Sequence, residues 1–212
     1  MSSLLQVDDD LAGQIDQVAI RYDNGVHVKH RLTRYHDFFV ERIRPGERVL
    51  DVGCGIGAVA RDVAEYSQAV VVGIDLNEEN IAMARSRYAH PRVEYRVGDA
   101  LTDLPSGQFD VVILSNVLEH LPERPAFLRR VVQVVQPSHL LIRVPLFERD
   151  WRVPLKKELG LDYRLDPTHE TEYTLDAFTN EMSQADLRVV HQEIHWSEIW
   201  AETVPLDRLL SP

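Results

Sequence analysis

The sequence predicts a doubly wound α/β fold with three layers, a mostly parallel seven-stranded sheet between helices, closed at one edge by an antiparallel C-terminal hairpin. Three observations carry this. Short, strongly apolar segments alternate with helix-period segments from residue 48 to residue 144, the pattern of parallel strands covered on both faces. The first strand runs directly into glycines at alternate positions and then a helix, in VLDVGCGIGAVA (49–60). The chain then closes with two strand-like segments too near in sequence for a parallel crossover, so they must form a hairpin.

The elements follow in order. Residues 1–46 read as helical. Leu11, Ile15, Val18 and Ala19 share one helix face, and Leu32, Tyr35, Phe39 and Ile43 another. Pro45-Gly46 ends the segment. Strands are expected over 48–54, 69–76, 93–97, 109–114 and 139–144. Helices are expected over 58–66, 78–89 with Asn77 as N-cap, and 123–135 before Pro137. Residues 146–173 form a long polar, aromatic-containing stretch without periodicity, which in a compact domain reads as a lid or a substrate wall. A helix over 174–184, a strand over 187–195 and a last strand over 199–204 complete the chain. The organisation expected is an N-terminal helical cap (1–46) followed by one domain (47–212).

Bulk properties narrow the function. The 212 residues suffice for one sizeable core, and 44% hydrophobic with 27% charged residues is ordinary for a folded domain. A net charge of −11 opposes a general nucleic-acid or anionic-membrane binder. Cys54 is the single cysteine, so no internal disulfide and no thiolate metal cluster is expected. MSSLLQVDDD lacks a signal-peptide pattern, and no segment approaches the ~18–20 apolar residues of a membrane span. A cytoplasmic protein is the expectation. The cationic stretch from Arg21 to Arg48 reads as a solvated helix face, or as a surround for an anionic substrate group.

The ligand should sit at the carboxyl ends of the central strands. Gly53, Gly55 and Gly57 let backbone approach a ligand, and the next helix offers free N–H groups. With Ala58 the loop also satisfies the dinucleotide pattern G-x-G-x-x-G/A, so the loop alone fits either a dinucleotide or S-adenosylmethionine. Asp51, just before it, is placed to fix a cationic amine. Asp75 ends the second strand, where an acid accepts from ribose hydroxyls, with Leu76 beside it. Asp99 and Ala100 end the third strand, and an acid there suits an adenine amino group. Ser115 and Asn116 end the fourth, followed by Val-Leu-Glu-His-Leu.

Taken together, VLDVGCGIGAVA, GIDL, VGDA and FDVVILSNVLEHL resemble the successive motifs of class I S-adenosylmethionine-dependent methyltransferases, whose fold is Rossmann-like. The resemblance is close over 47–145 and loose over the terminal hairpin. It implies S-adenosylmethionine as methyl donor and S-adenosylhomocysteine as product. Gly53, Gly55 and Gly57 would then line the methionine part, Asp75 the ribose, Asp99 and Ala100 the adenine, and Ser115 would touch the ligand. Pro137-Ser138-His139 departs from the family's frequent Pro-Gly-Gly, at a turn far from the ligand.

For such an enzyme a hydroxyl acceptor must lose a proton, and histidine is the base to look for among the nine present. His120 lies in the family-like turn. His169 lies in the lid sequence DPTHETEYT, where Asp166 and Glu170 can orient it. Tyr22, His30 and Arg31 in the leading helices are expected at the substrate. Asp166, His169, Glu170 and Glu172 match no standard ligand spacing, so no metal is expected. Trp196 and Trp200 at the hairpin suit a core or a homodimer surface. The function expected is methyl transfer to a small molecule, at a hydroxyl of a sugar or secondary metabolite. The alternatives are an NAD(P)-dependent oxidoreductase, for which no Tyr-x-x-x-Lys pair is evident, and a non-catalytic S-adenosylmethionine-binding protein.

Overall fold

The computed structural model describes residues 1–23, 25–105 and 107–209. Its elements are α1 (Ser2–Tyr22), α2 (Lys29–Thr33), α3 (His36–Val40), β1 (Arg48–Val52), α4 (Ala58–Tyr66), β2 (Val70–Asp75), α5 (Glu78–Arg87), β3 (Val93–Val97), β4 (Val111–Ser115), α6 (Arg124–Val135), β5 (His139–Pro145), α7 (Arg152–Glu158), α8 (Leu175–Gln184), β6 (Leu187–His195) and β7 (Glu198–Pro205). The sheet order is β3-β2-β1-β4-β5-β7-β6. Pairing is parallel from β3 through β5, and antiparallel for β5 with β7 and for β7 with β6. This is the mixed seven-stranded sheet that the sequence predicts.

Strand alternation sends neighbouring residues to opposite faces. Leu50, Val52, Val112, Leu114, Leu140 and Ile142 pack on one side with Leu128 and Val131 of α6 and with Phe178 and Met182 of α8. Val49, Val71, Val111, Ile113 and Leu141 pack on the other with Phe38 and Phe39 of α3, Val63 and Ala64 of α4, and Ile81 of α5. Both faces are covered, as a parallel sheet requires. Among the described residues, no helix is long and apolar enough to cross a membrane.

Three expectations need correction. The leading segment is not two continuous buried helices. Arg34 adopts φ 52 and breaks the second pattern, so Leu32 is exposed while Tyr35, Phe39 and Ile43 are buried. In α1, Leu11, Ile15 and Val18 face solvent, and only Leu5 is buried. Periodicity reports an apolar stripe, not whether a partner covers it. The segment 146–173 also contains regular structure. It carries α7 and is closed at its base by a bridge of Leu146 with Tyr173 and by Phe147 N–H donating to Tyr173 O at 2.6 Å. Arg152 pairs with Asp8 at 2.6 Å and Lys156 pairs with Asp9, fastening α1 to α7.

The β6–β7 hairpin turns on Trp196 and Ser197, both in the left-handed region at φ 51 and 64. Two-residue turns of this kind favour Asn-Gly. Trp196 is exposed, whereas Trp200 is buried against Phe38 at 5.6 Å between ring centroids. Replacing Trp196-Ser197 by Asn-Gly is expected to raise stability by about 1 kcal/mol, because non-glycine residues pay roughly that for left-handed backbone. Urea unfolding of both forms measures it.

Candidate functional site

At the carboxyl ends of β1, β4 and β5 lies a cavity of about 260 Å³. Asp51 and the glycine loop form its floor, Ser115 and Asn116 one wall, and Lys29, His30, Tyr35 and Arg143 the rest. The leading helices thus close over the sheet edge.

The three glycines do different work. All have positive φ, at 65, 54 and 86 for Gly53, Gly55 and Gly57. A side chain on Gly53 would meet Val117 Cγ2 at 2.6 Å, and one on Gly57 would meet the Tyr95 hydroxyl at 2.7 Å. Those two are therefore demanded by packing inside the protein. Nothing lies within 4 Å of the same position on Gly55, so its open face belongs to the cavity. Gly57 is also the N-cap of α4, whose first N–H groups lack helical partners.

Asp75 holds this loop to β2. Its Oδ2 accepts from Gly55 N–H at 2.8 Å, and its Oδ1 accepts from Asn77 N–H at 2.9 Å and Asn80 Nδ2 at 3.2 Å. An ionised carboxylate has about four acceptor positions, so one stays open. Asn77 in turn caps α5, accepting from Glu79 N–H and Asn80 N–H. Leu76 is exposed. Asp99 Oδ1 accepts from Leu101 N–H at 2.8 Å, and Ala100 packs on the core at the end of β3.

Asp51 is 1% exposed, and its Oδ2 has no hydrogen-bond partner. Burial, then the charge of Asp75, pushes its carboxyl up to about 8. A buried acid of this kind is costly to ionise without a cation. Asn116, at φ 56, leaves Oδ1 unpartnered in the same wall. A cationic amine and neighbouring donors fit these orphaned acceptors.

Above them, His30 Nδ1 lies 2.8 Å from Tyr35 Oη and 3.1 Å from His36 Nε2, and His36 Nδ1 lies 2.6 Å from Asp62 Oδ2. Asp62 Oδ2 accepts from His36 Nδ1–H, and in the tautomer in which His36 Nε2 accepts from His30 Nδ1–H, His30 Nε2 keeps a free lone pair. Burial, with His36 next, brings His30 down to about 4, so the ring is neutral at pH 7.

Of the other sequence candidates, Tyr22 is exposed at the end of α1, and Arg31 is exposed and lies 3.8 Å from Asp23. Neither lines the cavity; His30 does. His120 and His169 meet each other instead, with ring centroids 4.6 Å apart, just beyond the end of β4. His169 is 5% exposed and its Nδ1 pairs with Glu172 at 2.9 Å.

Sequence reasoning missed Arg143, and placed Glu119 only as part of the turn after the fourth strand. Arg143 is 3% exposed, lies 3.7 Å over the Tyr35 ring, and has its Nε 2.8 Å from Glu198 Oε2. Its signal was an arginine inside the apolar strand HLLIRVP, since a buried cation demands a partner. Glu119 is 1% exposed, and neither carboxylate oxygen has a partner. Burial raises it to about 7.

The methyltransferase domain family profile matches residues 25–192. A ubiquinone biosynthesis O-methyltransferase from Bradyrhizobium diazoefficiens is 31% identical over 122 residues, covering 57% of this chain and 47% of that protein. The chain spans about half the length of the curated relatives it matches. Magnesium protoporphyrin IX methyltransferase from Synechocystis, solved with S-adenosylhomocysteine, superposes with a TM-score of 0.66 at 18% identity, over 85% of each chain. An O-methyltransferase from neocarzinostatin biosynthesis, solved with S-adenosylhomocysteine and 1,4-dihydroxy-2-naphthoic acid, gives 0.67 at 20% identity, over 96% of this chain and 61% of that one. With the family match spanning most of its length and the glycine loop, Asp75 and the antiparallel edge in place, this chain belongs to the methyltransferase domain family, that of the class I S-adenosylmethionine-dependent methyltransferases.

Proposed function

We propose that the chain transfers a methyl group from S-adenosylmethionine to a hydroxyl oxygen of a small molecule. The observation that carries this is the pairing of a buried, unpartnered Asp51 with the open face of Gly55 in one cavity beside α4. A carboxylate there suits a ligand with a cationic end and opposes the pyrophosphate of a dinucleotide. S-adenosylmethionine, when bound, supplies a methyl group already activated on a sulfonium.

In this reading Asp51 meets the amine, Gly55 admits the methionine part between Gly53 and Gly57, which packing fixes, and the open acceptor position of Asp75 takes a ribose hydroxyl. Leu76, Asp99 and Ala100 surround the adenine, and Ser115 and Asn116 border the reacting end. The protein's part is to orient the acceptor and exclude water. Orientation alone can contribute up to ~7–11 kcal/mol. His30 borders the acceptor, and in the tautomer with Nε2 unprotonated it accepts a hydrogen bond from the acceptor's hydroxyl and orients it. The supports for an oxygen acceptor are the relatives named above, two of which are O-methyltransferases. None of those is a sugar methyltransferase, so the sugar acceptor expected from the sequence is not carried further. A net charge of −11 favours a small molecule over nucleic acid.

Transfer of labelled methyl from S-adenosylmethionine to a panel of phenols, alcohols and amines tests the acceptor class; labelling of amines alone refutes the hydroxyl. His30→Ala should lower kcat while S-adenosylhomocysteine affinity holds.

Asp75→Ala should weaken S-adenosylhomocysteine binding at least about tenfold, roughly 1.4 kcal/mol, by calorimetry. Binding should also release a proton. The cationic ligand favours ionised Asp51, whose carboxyl sits at about 8 in the free protein. Affinity therefore rises with pH from about 6 to 7.5, and Asp51→Asn flattens that rise. Calorimetry in buffers of different ionisation enthalpy counts the proton.

A further inference from the structure

We propose that Glu119, His120 and His169 form a binding site for a divalent transition-metal cation, zinc being the best match to two imidazoles and one carboxylate. One donor atom from each residue lies within 4.8 Å of the others. Ligands at ~2.0–2.2 Å in a tetrahedron stand about 3.4 Å apart, so binding draws the donors together by about an ångström. His120, partly exposed on its turn, has room to move.

Two further features mark this as a built site. Glu119 is buried at 1% exposure with both oxygens unpartnered, and a bare carboxylate in that setting calls for a cation. Both imidazoles are oriented through Nδ1. His120 Nδ1 lies 2.9 Å from Thr168 Oγ1, and His169 Nδ1 lies 2.9 Å from Glu172 Oε1. That leaves Nε2 of each ring as the nitrogen to offer. A carboxylate behind a ligating histidine is the usual support of such metal sites, and Glu172 is itself held by Arg149 at 2.5 Å. The peptide is fixed too, because Glu170 N–H donates to Glu119 O at 2.7 Å. The lid thus brings His169 to a turn about fifty residues earlier in the chain, which is why ligand spacing in sequence gave no sign of it.

Three protein donors leave at least one coordination position for water or an acceptor oxygen. The site adjoins Asn116 of the cavity wall through the turn after β4. An acceptor-binding role there rests on the methyl-transfer reading; metal binding itself does not.

The test strips the full chain with EDTA and titrates it with zinc chloride by calorimetry, without S-adenosylhomocysteine. One zinc per chain is expected, with affinity falling at least about tenfold in Glu119→Gln and in His169→Gln. His120→Ala, on the exposed side, keeps the test decisive if a buried variant misfolds. Cobalt(II) loading should give a d–d absorption band that His120→Ala loses. No saturable binding would overturn the proposal. So would binding that survives unchanged in Glu119→Gln and His120→Ala, which would assign the zinc to surface histidines such as His191 and His195. S-adenosylhomocysteine is titrated separately. If zinc binds and S-adenosylhomocysteine does not, the metal site stands and the methyl-transfer reading is refuted; if S-adenosylhomocysteine binds and zinc does not, only the metal site is refuted.

Discussion

β1 is hydrogen-bonded on both sides, to β2 and to β4, so the chain leaving Val52 must turn over the rim of a filled sheet. It has to do so between Val117 on one side and Tyr95 on the other, and both stand where a Cβ of the loop would go. The left-handed backbone of the glycine loop follows from that squeeze. The loop is then pinned from the neighbouring strand, because Gly55 N–H points at Asp75. Once pinned, it starts α4 at a fixed height, and α4 in turn seats α3 through a shared core. The cavity is what remains between them.

The same edge gathers ionisable groups that water cannot reach. Asp51, Glu119 and Arg143 are each at most 3% exposed. Only Arg143 has an opposite charge at contact distance, Glu198. Buried, unrelieved carboxylates cost stability, and any cation binding the folded state alone returns some of it by mass action. The protein with ligands should therefore be measurably tighter than without them. This ties the fold's weakest electrostatics to the same few side chains that face the ligand.

Much of this was legible in the sequence where burial is two-sided. β3, α4 and β6 have the ends that periodicity gives, and α8 begins one residue after its cap Thr174. α7 was not legible. It is seven residues long and carries Pro154 in its first turn, which a helix tolerates only there. Its ion pairs with Asp8 and Asp9 supply what its pattern lacks. The break at Arg34 gave no signal either, because nothing about an arginine announces a left-handed backbone. In the site, the backbone-defined part was readable: glycines and strand-end acids follow from topology. Glu119, His120 and His169 meet only through the folded lid, and Arg143 meets Glu198 only through the reversed strand.

That reversed strand has a consequence for how the molecule is made. β7 lies between β5 and β6, and among the described residues β6 has no other neighbour in the sheet. On a chain emerging from the ribosome, β6 therefore waits, and β5 presents an open edge, until residues from Glu198 onward are released. Arg143 lacks its counter-charge for the same interval. The pocket's electrostatics are completed by the last strand of this sheet to be synthesised, so a chain stalled or clipped before it keeps its glycine loop and loses its charge balance. Translation itself withholds the finished site until the sheet is sealed.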